Sequence, residues 1–244
     1  LIGTNDNQTF NIYTGSGANG KSKLVELMAK TLGDYKATVP ITLITQNRNN
    51  IGSTSSEIVQ LMGVRYACMQ EPSKGDKINE GIMKEITGGD PLVGRALFKD
   101  SVTFIPQFKL VVCTNVLFEI KTNDDGTWRR IRVCDFMSKF NDNPYENDDK
   151  FPKANFPYQF KIDRELDKKF DLWATVFASI LVDLALKYEG KVKDVPIVTS
   201  ISDKYRNSQD YLSEFSKEKI IRKRDSKIKK NELLEEFKNW YIAN

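Results

Sequence analysis

Hydrophobic positions along this chain fall into short unbroken runs, separated by stretches in which they recur at helical spacing. Four runs read as strands: Thr9 to Tyr13, Val64 to Gln70, Lys109 to Cys113 and Ile131 to Phe136. Most of their positions are apolar, instead of every second one, which is the pattern of a strand buried on both faces. Leu24, Leu27, Met28 and Leu32 place a helix over 23–32. Ile78, Ile82 and Ile86 place another over 77–87, with Asp76 as its N-cap and Gly88-Gly89 closing it. Leu92 to Phe98 and Val102 to Ile105 flank Lys99-Asp100-Ser101 and predict a β-hairpin with a charged tip, in which Phe98 packs into the core. Strands alternating with helices predict an α/β layer with a largely parallel central sheet.

The second half has a different pattern. Asn, Asp, Pro and Lys dominate Asn141 to Tyr158, which reads as a loop or linker. Leu166 to Tyr188 is a strongly apolar helix ended by Gly190, and Ile201 to Phe215 reads as one further helix. A last amphipathic helix carries Leu233, Leu234, Phe237, Trp240 and Tyr241. The expected organisation is a core over 1–150, a helical subdomain over 151–216, and a basic linker with a further helix over 217–244.

Parallel sheets bind ligands beyond the C-terminal ends of their strands, so polar residues there are site candidates. The first strand runs into Gly15-Ser16-Gly17-Ala18-Asn19-Gly20-Lys21-Ser22, a complete G-x-x-x-x-G-K-[ST] phosphate loop at the start of a helix. Glycines let backbone N–H groups turn toward an anion, Lys21 reaches the β/γ-phosphates, and the Ser22 hydroxyl joins a Mg²⁺ shell. Binding of a nucleoside triphosphate, ATP with Mg²⁺, is the expectation. Glu71 ends the second strand, where a carboxylate can hold Mg²⁺ or polarise the attacking water. Asn115 ends the third, where its amide can orient that water. Arg129 and Arg130 follow Trp128 and can stabilise charge on the transferring phosphoryl group.

Composition narrows the chemistry. The chain has 244 residues and no histidine, which excludes Ser-His-Asp and Cys-His nucleophiles and His-ligated metal sites. Its three cysteines, Cys68, Cys113 and Cys134, sit in the apolar strands without metal-ligand spacing and read as buried, reduced residues of an intracellular protein. A net charge of +4 is too mild to prove nucleic-acid binding. The run Lys217 to Lys230 is locally basic and fits either a solvated linker or a DNA-backbone contact. No apolar run approaches membrane-spanning length and no signal peptide is visible, so no membrane contact is expected. The chain opens on Leu1, so it is expected to be a fragment with further domains upstream.

Taken in order, the loop Gly15 to Ser22, Met69-Gln70-Glu71, Lys84-Glu85-Ile86-Thr87-Gly88-Gly89-Asp90 with Arg95, Phe108-Lys109-Leu110, Cys113-Thr114-Asn115 and Trp128-Arg129-Arg130-Ile131 closely resemble the ATPase module of superfamily 3 helicases. The likeness is to the poxvirus-type and phage/plasmid primase-helicase branch and spans roughly residues 1 to 215. It implies an AAA+-like P-loop ATPase fold with a hairpin insertion and a C-terminal helical subdomain. It also implies a homo-oligomeric ring, usually a hexamer, that hydrolyses ATP between subunits and moves along single-stranded DNA. By this resemblance Lys21 and Ser22 are the phosphate and Mg²⁺ residues, Glu71 the acidic motif and Asn115 the polar sensor. Arg129 and Arg130 lie where a finger reaches a neighbouring subunit, and Lys99, with Arg95 nearby, falls at the pore-facing DNA contact. The last helix resembles the start of a winged-helix module. Many members carry two adjacent acids where this chain has Gln70-Glu71, which leaves the division of labour at Glu71 open. The Asn/Lys-rich composition resembles that of a large eukaryotic DNA virus, which would place the protein in host cytoplasm or nucleus, and the primase-helicase resemblance implies a primase domain upstream in the same chain. A P-loop small-molecule kinase and an assembly module whose ATP site serves oligomerisation are the competing readings.

Overall fold

The four apolar runs become neighbouring strands of one parallel sheet. A computed structural model describes residues 3–47, 54–69, 76–120, 122–147, 149–221 and 223–243. In chain order the elements are β1 (Phe10–Thr14), α1 (Lys21–Leu32), β2 (Lys36–Val39), α2 (Thr42–Thr45), α3 (Ser56–Val59), β3 (Tyr66–Met69), α4 (Glu80–Thr87), β4 (Leu92–Arg95), β5 (Ser101–Phe104), β6 (Lys109–Cys113), α5 (Asp125–Trp128), β7 (Ile131–Asp135), β8 (Ser138–Asn141), β9 (Tyr158–Lys161), α6 (Leu166–Tyr188), α7 (Pro196–Ser208), α8 (Tyr211–Lys219) and α9 (Lys230–Ala243). The central sheet runs β2-β3-β6-β1-β7 with every neighbouring pair parallel. β1 lies between β6 and β7, with Ile12 opposite Val112 and Val133. All three side chains are fully buried, as the unbroken apolar runs require.

The chain divides into two compact units, Leu1–Ser202 and Asp203–Asn244. In the first, α1 and α6 cover the sheet. Met28, Tyr66, Cys68 and Val111 form a buried cluster against which Leu24, Val25, Phe177 and Leu181 pack. Lys23 pairs with Asp167, and Lys30 with Asp171, along the same helix contact. In the second unit Phe215 is buried, edge-on to Phe237 at 5.2 Å and tilted against Trp240 at 5.7 Å.

Several expectations need correction. The helix over 77–87 begins at Glu80, and its cap is Asn79, whose side chain accepts from the Ile82 N–H at 3.2 Å, not Asp76. The hairpin is confirmed as an antiparallel pair, Leu92 opposite Phe104 and Arg95 opposite Ser101, but its strands are four residues each. Residues 96–100 therefore form the turn, and Phe98 sits there at φ 58°, 94% exposed instead of in the core. The single helix over 201–215 is two helices, because Asp210 caps α8 by accepting from the Ser213 N–H at 3.0 Å. Cys68 is buried with a reduced thiol, as expected, whereas Cys113 and Cys134, also reduced thiols, are half-buried. The segment over 141–158 is bounded by the parallel pair β8 and β9. Its chain is pinned by Gln159, whose amide nitrogen donates to the carbonyls of Phe151 (2.9 Å) and Phe156 (3.2 Å). No described helix is long and apolar enough to cross a membrane.

Candidate functional site

At the C-terminal end of β1 the backbone turns through a series of positive φ angles: Gly15 at 141°, Gly17 at 81°, Ala18 at 49° and Gly20 at 91°. Gly15 is required here. A Cβ at this position would meet the Asn19 amide nitrogen at 2.2 Å and the Phe136 carbonyl at 2.9 Å. Helix α1 then begins at Lys21 with no side-chain cap among the described residues and no acid in its first turn. Such a terminus presents unpaired backbone donors at the positive end of the helix dipole, a fit for a phosphate chain.

Lys21 is buried, and among the described residues its Nζ donates to the neutral oxygens of the Gly15 carbonyl (3.2 Å), Asn19 Oδ1 (3.2 Å) and Asn115 Oδ1 (3.0 Å). Asn115 and Lys21, 94 positions apart in sequence, thus meet directly. Asn115 is placed by the buried Thr114 beside it, whose Oγ1 donates to the Val116 carbonyl at 2.6 Å and accepts from the Val116 N–H at 3.1 Å. This turn holds Asn115 at the mouth of a pocket of about 500 Å³. The pocket runs from Gly17 to Lys23, takes in the exposed Ser22, and extends to Thr38, Cys68, Met69 and Asn115. Gln70 and Glu71 lie outside the described residues; β3 ends just before them, at Met69.

Arg129 and Arg130 are at the opposite end of the same sheet. The Arg130 carbonyl accepts from the Phe10 N–H at 2.7 Å, at the start of β1, and Ile131 is the register partner of Phe10. Five residues of strand separate that edge from the phosphate loop, roughly 15 Å at the usual rise per residue. Both guanidinium groups converge on Gln8 Oε1, Arg129 Nη2 at 2.7 Å and Arg130 Nη2 at 3.0 Å. Arg130 is buried and also donates to the Gly126 carbonyl at 2.6 Å. Burial, with the adjacent Arg129 charge, lowers its pKa from the usual arginine value. Arg129 is exposed. Helix α5, which presents the pair, is capped by Asp124 and tied to α4 by the Lys84–Asp124 ion pair. Asn5 is buried and donates to the Thr87 and Gly88 carbonyls at 2.9 Å each. The Thr-Gly-Gly-Asp and Trp-Arg-Arg segments are therefore parts of one braced edge.

The hairpin tip exposes Leu97, Phe98 and Lys99, and Arg95 Nε donates to the Lys99 carbonyl at 3.1 Å, so Arg95 shapes the turn that carries Lys99. Sequence reasoning missed Gln8, Asn5 and Lys139. Lys139 donates to the Gly17 carbonyl across 122 residues of sequence, a contact with no local signature.

A family model described as "Family of unknown function (DUF5906)" matches residues 13–130. The whole chain is 38% identical to 26% of "Putative helicase L207/L206" of Acanthamoeba polyphaga mimivirus, and 31% identical to 25% of "Putative helicase 022R" of Frog virus 3. Over 96% of the chain it is 31% identical to 25% of "Putative primase C962R" of African swine fever virus. The chain spans about a quarter of the length of these curated relatives. Among solved structures, the NrS-1 C-terminal region aligns over 70% of this chain and 36% of that one at 15% identity, with a TM-score of 0.49. Identity runs from end to end of this chain, so its similarity is to proteins named putative helicase or putative primase in large DNA viruses, in line with the primase-helicase branch that its motifs resemble.

Proposed function

We propose that this module is an ATP-hydrolysing motor of viral DNA replication that moves on single-stranded DNA as a homo-oligomeric ring, in the hexameric form its motifs imply. The observation that carries the reading is the bond from Lys21 to Asn115, which brings phosphate loop and sensor strand together over one pocket. On triphosphate binding, Lys21 exchanges its neutral oxygens for phosphate oxygens, and Asn115 keeps a carboxamide at the pocket end of β6 for the attacking water. Mg²⁺, held through the Ser22 hydroxyl with Glu71, supplies charge neutralisation on the phosphate oxygens.

The position of the arginines supports the ring. At the far edge of the sheet, Arg129 cannot serve the loop of its own chain, and it suits the loop of a neighbour. Arg129, exposed, is assigned as the finger, and buried Arg130 as the residue that fixes its turn. The hairpin tip supplies a DNA contact, with Lys99 on phosphate and the exposed Phe98 available to stack on a base. The longer protein to which this module corresponds is proposed to carry a primase domain upstream and to act in the cytoplasm or nucleus of the infected cell.

ATP turnover by the assembled protein, with and without single-stranded DNA, tests the reading. DNA-stimulated turnover that disappears in Lys21→Ala is expected. Turnover indifferent to DNA would refute translocation, and its absence altogether would refute the motor.

A further inference from the structure

We propose that Lys139 is a positioning residue that sets the phosphate loop from behind, through the Gly17 carbonyl. The inference rests on the ATP-binding reading above. Lys139 lies on β8 and is 8% exposed, an unusual state for a lysine, which is rarely buried without a partner. Its Nζ donates to the Gly17 carbonyl at 3.1 Å. The rest of the ammonium is enclosed by aromatic faces, Phe151 at 4.9 Å and Phe156 at 5.5 Å from the ring centroids. A desolvated cation is tolerated in such a place only with this kind of compensation.

The enclosure is itself a built structure. Gln159, 4% exposed, uses both ends of its carboxamide. Its nitrogen holds the Phe151 and Phe156 carbonyls, and its oxygen accepts from Asn141 Nδ2 at 3.1 Å and from the Tyr145 N–H at 3.0 Å. The two rings meet edge-on at 5.6 Å. The excursion between β8 and β9 thus forms a socket that locates one ammonium against one loop carbonyl.

Why that carbonyl matters follows from peptide geometry. The Gly17–Ala18 peptide is planar and trans, so an oxygen fixed toward Lys139 directs the Ala18 N–H the opposite way. Gly17 and Ala18 both line the pocket, and Lys139 does not. Two further contacts act on the same loop from the same segment. The Phe140 N–H donates to the Ala18 carbonyl at 2.8 Å, and Asn19 Nδ2 donates to the Phe136 carbonyl at 3.3 Å. Lys21 secures the Gly15 carbonyl from within the loop. Carbonyls drawn away in this manner leave the amides turned toward an incoming anion, and a loop so held is ordered before the nucleotide arrives. Ala18, at a left-handed φ of 49°, is the residue most prone to relax if the anchor is lost.

The test compares Lys139→Met, which keeps the stem inside the socket and removes the donor, with Lys139→Arg, which keeps charge and donors. Two readouts are taken: amide hydrogen exchange at Phe140, whose N–H is held by the Ala18 carbonyl, in nucleotide-free protein, and equilibrium binding of a fluorescent ATP analogue. Loss of one hydrogen bond from a charged donor is expected to weaken binding by about 10- to 100-fold and to speed exchange at the Phe140 amide, with Lys139→Arg recovering much of both. Unchanged exchange and affinity in Lys139→Met would overturn the proposal, and so would equal losses in the Met and Arg variants, since packing would then be the cause. Failure of the wild-type protein to bind the analogue would instead strike the ATP-binding reading. Should Lys139→Met not fold, the wild-type ammonium decides. Its nitrogen signal should show slowly exchanging protons at neutral pH, and rapid exchange would remove the bond on which the inference stands.

Discussion

Truncating Arg129 and Arg130 separately should give two different defects. Arg130 is buried, and its Nη1 bond to the Gly126 carbonyl has no substitute when the side chain is removed. Its second acceptor, Gln8 Oε1, stays occupied by Arg129. One charge-assisted hydrogen bond and the packing of a buried stem are therefore lost, which together cost about 3 kcal/mol. For a chain of this length that corresponds to a fall in melting temperature of roughly 6–12 °C. Arg129 is exposed, so Arg129→Ala should melt within a few degrees of the wild type. Its turnover should nevertheless fall by about 10³ to 10⁵, the range for a finger acting in trans. Mixing Arg129→Ala with Lys21→Ala should restore some activity, because some interfaces then join an intact loop to an intact finger. Melting curves and turnover at several mixing ratios check both parts. If Arg130→Ala lost turnover while melting like the wild type, or mixed rings shown to contain both subunits recovered nothing, the division of roles would be wrong.

Two further outcomes follow from particular contacts. Asp124 is held at a pKa of about 2 by its bond to Lys84 and by backbone donors at the head of α5. Because the folded-state value is depressed, its contribution is present above the ordinary carboxylate pKa near 4 and is lost as pH falls toward 2. Melting temperature should therefore drop across that window more steeply in the wild type than in Asp124→Asn. A parallel pair of curves would dismiss the Lys84–Asp124 tie as a stabilising contact. At the hairpin, Lys99→Ala should make the salt dependence of single-strand binding shallower by about 0.7 per engaged subunit on a log–log plot, and Phe98→Ala should weaken binding with the slope unchanged. Equal slopes in all three proteins would move the DNA path elsewhere.

The central strands were legible because burial on both faces leaves an unmistakable signature: β6 was read to the residue and β1, β3 and β7 to within two. The edge strand β2, Lys36-Ala37-Thr38-Val39, is half solvated and carries no apolar run, so nothing marked it. Phe98 was misread for a related reason. An aromatic in an apolar stretch reads as core, yet the hairpin register ends at Arg95 and Ser101 and leaves Phe98 in the turn. The polar segment over 141–158 reads as a linker from composition alone, because its organising residues, Gln159 and Lys139, act through contacts that composition does not encode. The Gly15 to Ser22 motif is local in sequence, so it is legible there without any knowledge of the fold. The braces on it and on the arginine edge come from 122 and from 82 to 122 positions away, beyond the reach of any window.

Distance along β1 turns these separate observations into an argument about assembly. The phosphate loop, Lys21 and Asn115 occupy the C-terminal edge of the sheet, and Arg129 occupies the N-terminal edge. A rigid five-residue strand buried between two others cannot bring the two edges together within one chain. In the proposed motor, an arginine that completes the site therefore comes from another copy, presented by the edge that this copy offers in turn to the next. Such a contact is head-to-tail, and head-to-tail contacts close into rings when the rotation permits. Helix α4 connects that edge to the hairpin: its C-terminal end leads through Gly88-Gly89 into β4, and Lys84 ties it to the α5 turn that bears Arg129. If the hairpin tip holds DNA as proposed, a shift of the tip has a direct covalent and ionic route to Arg129. The route predicts that Lys84→Ala, which leaves the loop, Asn115 and Arg129 in place, keeps its basal turnover and loses stimulation by DNA. Stimulation at the wild-type ratio in that variant would show that α4 carries no signal between them.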